Sequence, residues 1–223
     1  MRLQAVLFDM DGTLVDTSQD FVAVVQSLRQ EQGLPPASES RIRQAISNGA
    51  QGMLEASFDI DPKSGAFASL REAFLNRYQQ QCCQHSKLFE GMDDLLAEIE
   101  EAGLPWGIVT NKSARFAEPL LARLGLVDRC GALICPEHVR HSKPDPEPVL
   151  LACARLGVDP GQTVFVGDDK RDIQAGRSAG CLTLAAAYGY VNHLDDPYDW
   201  GADAVVKYSV TLQRLLGPAL HNR

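Results

Sequence analysis

The apolar positions of this 223-residue chain fall into two textures. Leu3-Gln4-Ala5-Val6-Leu7-Phe8 is a short, nearly continuous apolar run stopped by Asp9-Met10-Asp11-Gly12, the pattern of a buried strand ended by a loop. Phe21, Val24, Val25 and Leu28 then recur at the i, i+3, i+4, i+7 spacing of one helix face, and Gly33, Pro35 and Pro36 end it. Between about 38 and 85 the stripes Ile42-Ala45-Ile46 and Leu70-Ala73-Phe74-Tyr78 predict helices and no strand. From residue 91 the texture changes to alternation. Helices are expected over 93–102, 114–124, 146–156 and 170–179, and strands over 105–109, 131–135, 163–166, 182–186 and 203–206. Such alternation predicts an α/β fold, a parallel sheet with helices on both faces, interrupted by an all-helical insertion. Ser113 and Asp145-Pro146 stand where two helical stripes begin and supply helix-start chemistry there.

Composition excludes little and directs attention elsewhere. A content of 45% hydrophobic and 22% charged residues is that of an ordinary globular protein. The net charge of -8 disfavours nucleic acid and anionic membranes as partners, so a phosphorylated ligand would need locally placed positive charge. Cys82, Cys83, Cys130, Cys135, Cys153 and Cys181 show neither a C-x-x-C pair nor metal spacing and read as buried reduced thiols. The opening apolar run is too short for a secretory segment, and no run approaches the ~20 apolar residues of a membrane span. A cytoplasmic address is therefore expected.

Ligands of open parallel sheets bind beyond the carboxyl ends of the strands, so the residues after each strand carry the chemistry. Here they are Asp9-Met10-Asp11-Gly12-Thr13, Thr110-Asn111-Lys112, Lys143-Pro144 before a helix, and Gly167-Asp168-Asp169-Lys170-Arg171-Asp172. Asp9, Asp11, Asp168, Asp169 and Asp172 crowd like charges together, which raises pKa values or calls for a cation. A hard divalent ion with oxygen ligands, Mg²⁺ above all, answers that need. Phosphate-ester chemistry follows. Asp9 as nucleophile splits it into phosphoryl transfer and hydrolysis of an aspartyl-phosphate, Asp11 protonates the leaving group and then activates water, and Thr110 and Lys143 hold the transferring oxygens.

Phe8-Asp9-Met10-Asp11-Gly12-Thr13-Leu14, Thr110-Asn111, Lys143-Pro144 and Gly167-Asp168-Asp169 with Asp172 resemble, in order and spacing, the four motifs of the haloacid dehalogenase superfamily. The likeness covers essentially the whole chain. It implies a Rossmann-like catalytic core of residues 1–15 and 88–223, a mobile helical cap of residues 16–87, and Mg²⁺ held by Asp9, the main-chain carbonyl of Asp11, and Asp168. Asp169 occupies a position that is often Ser or Thr in relatives, and either Asp169 or Asp172 could support the metal from behind. In the insertion, Ser47-Asn48-Gly49-Ala50 is similar to a cap stretch that faces the active site in phosphoglycolate phosphatase-like proteins, which makes Asn48 and Gly49 substrate-binding candidates beside Thr110, Asn111 and Lys143. The same stretch also reads as a plain helix break.

The implied activity is hydrolysis of a small phosphorylated metabolite. Within the superfamily the chain looks like a bacterial branch of phosphoglycolate phosphatases, and more closely like N-acetylmuramic acid 6-phosphate phosphatases, on stretches such as His141-Ser142-Lys143-Pro144-Asp145-Pro146-Glu147-Pro148 and Trp200-Gly201-Ala202-Asp203. A 2-phosphoglycolate phosphatase and a phosphosugar mutase, which shares the nucleophile and acid/base, are the enzyme alternatives. A non-catalytic binding module would lack the nucleophile or the lysine, and both are present. Arg41, Arg43, Arg71 and Arg77 are candidates for gripping a substrate carboxylate. Lys112, Lys170 and Arg171 read as solvated, His85, His138 and His141 as surface or boundary residues, and Trp106 and Trp200 as core or rim. Oligomeric state has no signature in the sequence.

Overall fold

A computed structural model describes residues 3–81, 83–192 and 194–221. Strands β1 (Ala5–Phe8), β4 (Trp106–Val109), β5 (Ala132–Ile134), β6 (Thr163–Gly167), β7 (Leu182–Ala186) and β8 (Ala204–Val206) form one sheet in the order β5-β4-β1-β6-β7-β8. Every pairing in it is parallel, and β1 lies between β4 and β6 with Phe8 opposite Ile108 on one side and Val166 on the other. All four β1 residues are fully buried, as a central strand covered on both faces requires.

Alternation along the strands sends side chains to two cores. Val6 and Phe8 pack with Ile108, Val164 and Val166 against helices α5 (Met92–Glu101), α6 (Ala114–Arg123) and α9 (Thr211–His221). Leu7, Val109, Ile134 and Phe165 face the other way, onto α7 (Glu147–Leu156) and α8 (Lys170–Ala179). Six strands with helices on both faces are the expected α/β architecture. Helix α9 has no counterpart among the expected elements. Its stripe Leu212, Leu216 and Leu220 is buried, although Gly217 and Pro218 interrupt the helical texture of the sequence there.

Helices α1 (Ser18–Glu31), α2 (Glu39–Ala45), α3 (Gly49–Ser57) and α4 (Gly65–Gln81) follow β1 and build a core of their own. It contains Phe21, Val24, Val25 and Leu28 of α1, Ile42 of α2, Met53 and Leu54 of α3, and Phe67, Leu70, Phe74 and Tyr78 of α4. Phe116 and Tyr190, from the sheet-bearing part of the chain, join this cluster. The chain leaves and re-enters the sheet-bearing part through a two-residue antiparallel pair that periodicity is too short to reveal, β2 (Val15–Asp16) with β3 (Lys87–Leu88). Buried Asp20 ties the returning segment down by accepting bonds from the backbone N–H groups of Cys83, His85 and Ser86 and from the Ser86 hydroxyl.

Cys135, Cys153 and Cys181 are buried free thiols, Cys83 is buried, Cys130 is half-buried, and Cys82 lies outside the described residues. Among the described residues no helix is long and apolar enough to cross a membrane.

Candidate active site

Each residue singled out at a strand end arrives by the same route. A buried strand stops, the chain turns at its carboxyl end, and the first polar residues face one crevice where the strand order reverses around β1. Asp9 follows β1, Thr110 follows β4, Asp168 follows β6, and Lys143 lies before α7. Together with Asp11, Asn111, Asp169 and Asp172 they line a cavity of about 280 Å³.

Lys143 organises the floor of that cavity. Its ammonium donates to Asp9 Oδ1, Asp172 Oδ1 and the Val109 carbonyl, each at 2.7 Å, so all three N–H groups are taken. Burial alone would lower the lysine pKa, but the charges of Asp172 and Asp9 outweigh it and hold it above the usual range. The expectation that Lys143 offers free donors to a substrate is thereby modified: it acts as a fixed positive charge that also aims Asp9. Asn111 is committed similarly. Its amide donates to the Lys143 carbonyl at 3.0 Å and accepts from the Lys143 N–H at 3.2 Å, so it frames the lysine from both sides.

Asp9, Asp168 and Asp172 place carboxylate oxygens within 4.8 Å of one another, all buried. Burial pushes all three pKa values up; Asp168 stands well above the carboxylate range, with the charges of Asp9 and Asp172 adding to burial, and Asp172 reaches about 7. Of these three acids, Lys143 is paired with Asp9 and Asp172. One buried acid therefore lacks a cationic partner, and three hard oxygen donors around an uncompensated charge suit Mg²⁺. The backbone leaves room beside Asp168. A Cβ on Gly12, whose φ of 87° already favours glycine, would come within 2.1 Å of Asp168 Oδ2, and one on Gly189 within 2.3 Å of its Cβ. Asp168 is aimed by Thr13, whose hydroxyl donates to Oδ1 at 2.9 Å, and by the Tyr190 N–H, which donates to Oδ2 at 2.7 Å.

Of the two residues left open as support for the metal, Asp172 is inside the cluster and Asp169 is outside it. Asp169 caps α8, and its side chain is bound by the Arg171 N–H at 2.8 Å and by the guanidinium at 2.7 and 2.8 Å. Although burial pushes upward, Arg171 holds the Asp169 pKa below the usual range.

Asp11 sits at the cavity edge. Thr17 donates its hydroxyl to Oδ1 at 2.7 Å, and Lys112 Nζ lies 3.1 and 3.2 Å from the two carboxylate oxygens. Two residues read as solvated have partners in the cavity. The Lys112 side chain is only 6% exposed, and Arg171 donates to the Ser47 carbonyl across the cavity. Their polar flanks hid this in the sequence, because the partners are distant in the chain.

On the facing wall, Ser47, Gly49, Ala50 and Arg71 line the cavity with Phe21, Ile46, Met53, Phe74, Leu75 and Tyr78. Asn48 is exposed and is not among the lining residues. Of the four arginine candidates only Arg71 reaches the cavity: Arg43 binds Ser18 and sits 3.9 Å from Asp16, Arg77 is 2.7 Å from Glu31, and Arg41 is exposed. Tyr190 escaped sequence reasoning altogether. Besides aiming Asp168, it donates its hydroxyl to Asp16 Oδ1 at 2.8 Å, accepts the Thr17 N–H at 2.7 Å, and accepts a bond from Ser47 at its carbonyl. No motif spacing marks it.

His85, His138 and His141 are exposed, and Trp106 and Trp200 are buried. His141 does lie near Asp145 and Glu147, with carboxylate and imidazole atoms within 4.8 Å, although none of the three histidines has a ligand partner at metal spacing along the chain.

Comparison with known proteins places this geometry in a family. The model of the haloacid dehalogenase-like hydrolases matches residues 6–186. An N-acetylmuramic acid 6-phosphate phosphatase of Pseudomonas putida is 54% identical over 99% of both chains, and one of Pseudomonas aeruginosa is 52% identical over 99% of this chain and 97% of its own. A phosphoglycolate phosphatase of Xanthomonas campestris is 42% identical over 92% of each. Among solved structures, a Haemophilus somnus protein described as a predicted phosphoglycolate phosphatase superposes with a TM-score of 0.84 at 26% identity, covering 96% of this chain and 98% of its own. With its motifs gathered in one crevice and relatives matched end to end, the chain belongs to the haloacid dehalogenase-like hydrolases.

Proposed function

We propose that the chain is a Mg²⁺-dependent phosphomonoesterase that works through an aspartyl-phosphate on Asp9 and takes N-acetylmuramic acid 6-phosphate as its substrate. The observation that carries the chemistry is the convergence of Asp9, Asp168 and Asp172 at the end of the central strand, two of them, Asp9 and Asp172, on one saturated lysine. Asp9 keeps Oδ2 clear of the lysine while Oδ1 is pinned at 2.7 Å. Asp9 attacks phosphorus, the ester P–O bond breaks, and the leaving alkoxide takes a proton from Asp11. Asp11, now a base, removes a proton from the water that attacks the aspartyl-phosphate, releasing inorganic phosphate and restoring Asp9. Lys143 offsets the charge gathering on the transferring group, and buried Thr110 lies at the end of the neighbouring strand β4. Asp9, Asp168 and the Asp11 main-chain carbonyl would hold Mg²⁺, with Asp172 close behind; when bound, it supplies positive charge between nucleophile and phosphoryl group.

The division of labour follows the chain: residues 1–15 and 88–223 as the catalytic core and 16–87 as the cap. The substrate choice rests on two relatives above 50% identity and on the cavity's upper wall. Ile46, Ala50, Met53, Phe74 and Leu75 give that wall an apolar surface, which suits acetyl and lactyl methyl groups and has nothing to meet on two-carbon phosphoglycolate. The test is kcat/KM for N-acetylmuramic acid 6-phosphate, 2-phosphoglycolate and hexose phosphates with and without Mg²⁺. A preference of ~100-fold or more for the muramic ester, about 2.7 kcal/mol of differential transition-state binding, is expected. Dominant phosphoglycolate turnover would overturn the substrate, and absence of phosphate release from every ester would overturn the activity.

A further inference from the structure

Lys112 has surroundings that the proposed reaction does not use. It follows β4, one residue beyond Asn111, and its ammonium lies 4.8 Å from the Phe21 ring centroid and 4.7 Å from that of Tyr78. The two rings stack at 4.5 Å, and Phe116 packs edge-on against Tyr78. Nζ donates to the two Asp11 oxygens and, at 2.8 Å, to the Tyr78 hydroxyl. An ammonium has three N–H groups, and here each has an acceptor, so none is left over for a substrate.

We infer that Lys112 is a positioning residue for Asp11, and that it makes the placement of this acid/base depend on the seating of helix α4 through Tyr78. The inference rests on the reading of Asp11 as the acid/base. Asp11 is tethered from two directions, by Thr17 at the start of the helical segment and by Lys112 from the sheet side. The lysine can reach both carboxylate oxygens only while the Tyr78 hydroxyl and the Phe21–Tyr78 stack occupy their places above it. A helical body lifted off the sheet takes Tyr78 with it and leaves the Lys112 ammonium with one acceptor fewer and without its aromatic walls. Proton delivery to the leaving group is thus tied to a covered cavity, where stray water has least access. Tyr78 is fixed within α4 by Phe74 and Phe21, so its hydroxyl reports the position of the whole helix and not of one loose side chain.

The test is the dependence of kcat/KM on leaving-group acidity across aryl phosphates from 2,4-dinitrophenyl to phenyl phosphate, a quantity that covers steps up to and including phosphoryl transfer. Good leaving groups need no proton, whereas poor ones do. Lys112→Met should steepen the dependence, with phenyl phosphate losing ~10-fold or more beyond the loss on the dinitrophenyl ester, within the usual worth of general acid catalysis. Tyr78→Phe keeps the ring stack, removes only the hydroxyl, and should steepen it in the same direction by less. It stands in for the lysine variant should that variant fail to fold in a thermal melt. Equal losses on all esters, or a change confined to KM, would overturn the inference. Asp11→Asn separates the two levels: a steeper line for Asp11→Asn with an unchanged one for Lys112→Met refutes the role of Lys112 alone, whereas an unchanged line for Asp11→Asn refutes the acid/base reading and the inference with it.

Discussion

The two walls of the cavity are built differently. On the sheet side the polar groups are mostly buried and paired: Lys143 has three acceptors, Asp168 has two donors, and Asn111 is doubly bonded to a backbone. On the helical side the wall is largely apolar, with Ser47 tied to the sheet side by Arg171 and Tyr190 and with Arg71 exposed at the cavity. A wall of buried, hydrogen-bonded groups suits a reaction that must hold a phosphoryl group the same way on every turnover. Away from Phe21 and Tyr78, which hold Lys112, the apolar wall can vary without disturbing that reaction, and binding energy drawn there can select among esters. Under the proposed function, chemistry belongs to one wall and choice to the other.

The largest expected effect breaks the chemical wall. Asp9→Asn removes the nucleophile while keeping its size, so kcat should fall by at least ~10⁴-fold. The melting temperature should not fall, because the neutral amide relieves charge crowding among the buried acids, and circular dichroism should be unchanged. A variant with a tenth of wild-type activity would remove Asp9 from its role. Next, enzyme stripped with EDTA should be inactive, regain activity with Mg²⁺ and fail to regain it with Ca²⁺, whose larger radius and looser coordination suit the site poorly. Full activity in Ca²⁺ would contradict the metal assignment.

The smallest effect lies where the two walls join. Burial would raise the pKa of Asp16, but bonds from the Ser18 hydroxyl, the Tyr190 hydroxyl and the Ser18 N–H, with Arg43 nearby, hold it below the usual value. A depressed folded-state pKa contributes stability above the unfolded value of ~3.9, and that contribution is lost as pH falls through the folded value. The melting temperature of wild type should therefore exceed that of Asp16→Asn at pH 6 and approach it near pH 3. A gap that is constant over that range would show that the carboxylate charge plays no part at the junction.

How far the sequence discloses this molecule depends on the range of each interaction. Strands β1, β4, β6 and β7 and the helices between them are legible because buried strands are short apolar runs closed by polar turns, and because helix stripes keep one period over three turns. The β2–β3 pair is two residues long on each side and carries no period, and α9 is masked by Gly217-Pro218. Asp9, Lys143 and Asp168 are marked by local motifs. Tyr190, which aims Asp168 and also binds Asp16, Thr17 and Ser47, is not, because Asp16, Thr17 and Ser47 lie more than a hundred residues away and Asp168 is reached by the Tyr190 backbone N–H, which carries no side-chain signal. Lys112 misleads for a related reason: a lysine among polar neighbours reads as solvated until Phe21 and Tyr78 are folded over it.

The most direct test of the two-wall account is the ratio of kcat/KM for N-acetylmuramic acid 6-phosphate to that for 2-phosphoglycolate in wild type and in Ala50→Leu. Ala50 is half-buried on the apolar wall, and the larger side chain narrows the cavity away from the buried acids. The ratio should fall by roughly 10-fold or more, the range set by a few methylenes in a pocket, with phosphoglycolate turnover held within about two-fold. An equal loss on both esters would mean that the walls are not separable, and an undiminished muramic ester would mean that the apolar wall does not choose the substrate.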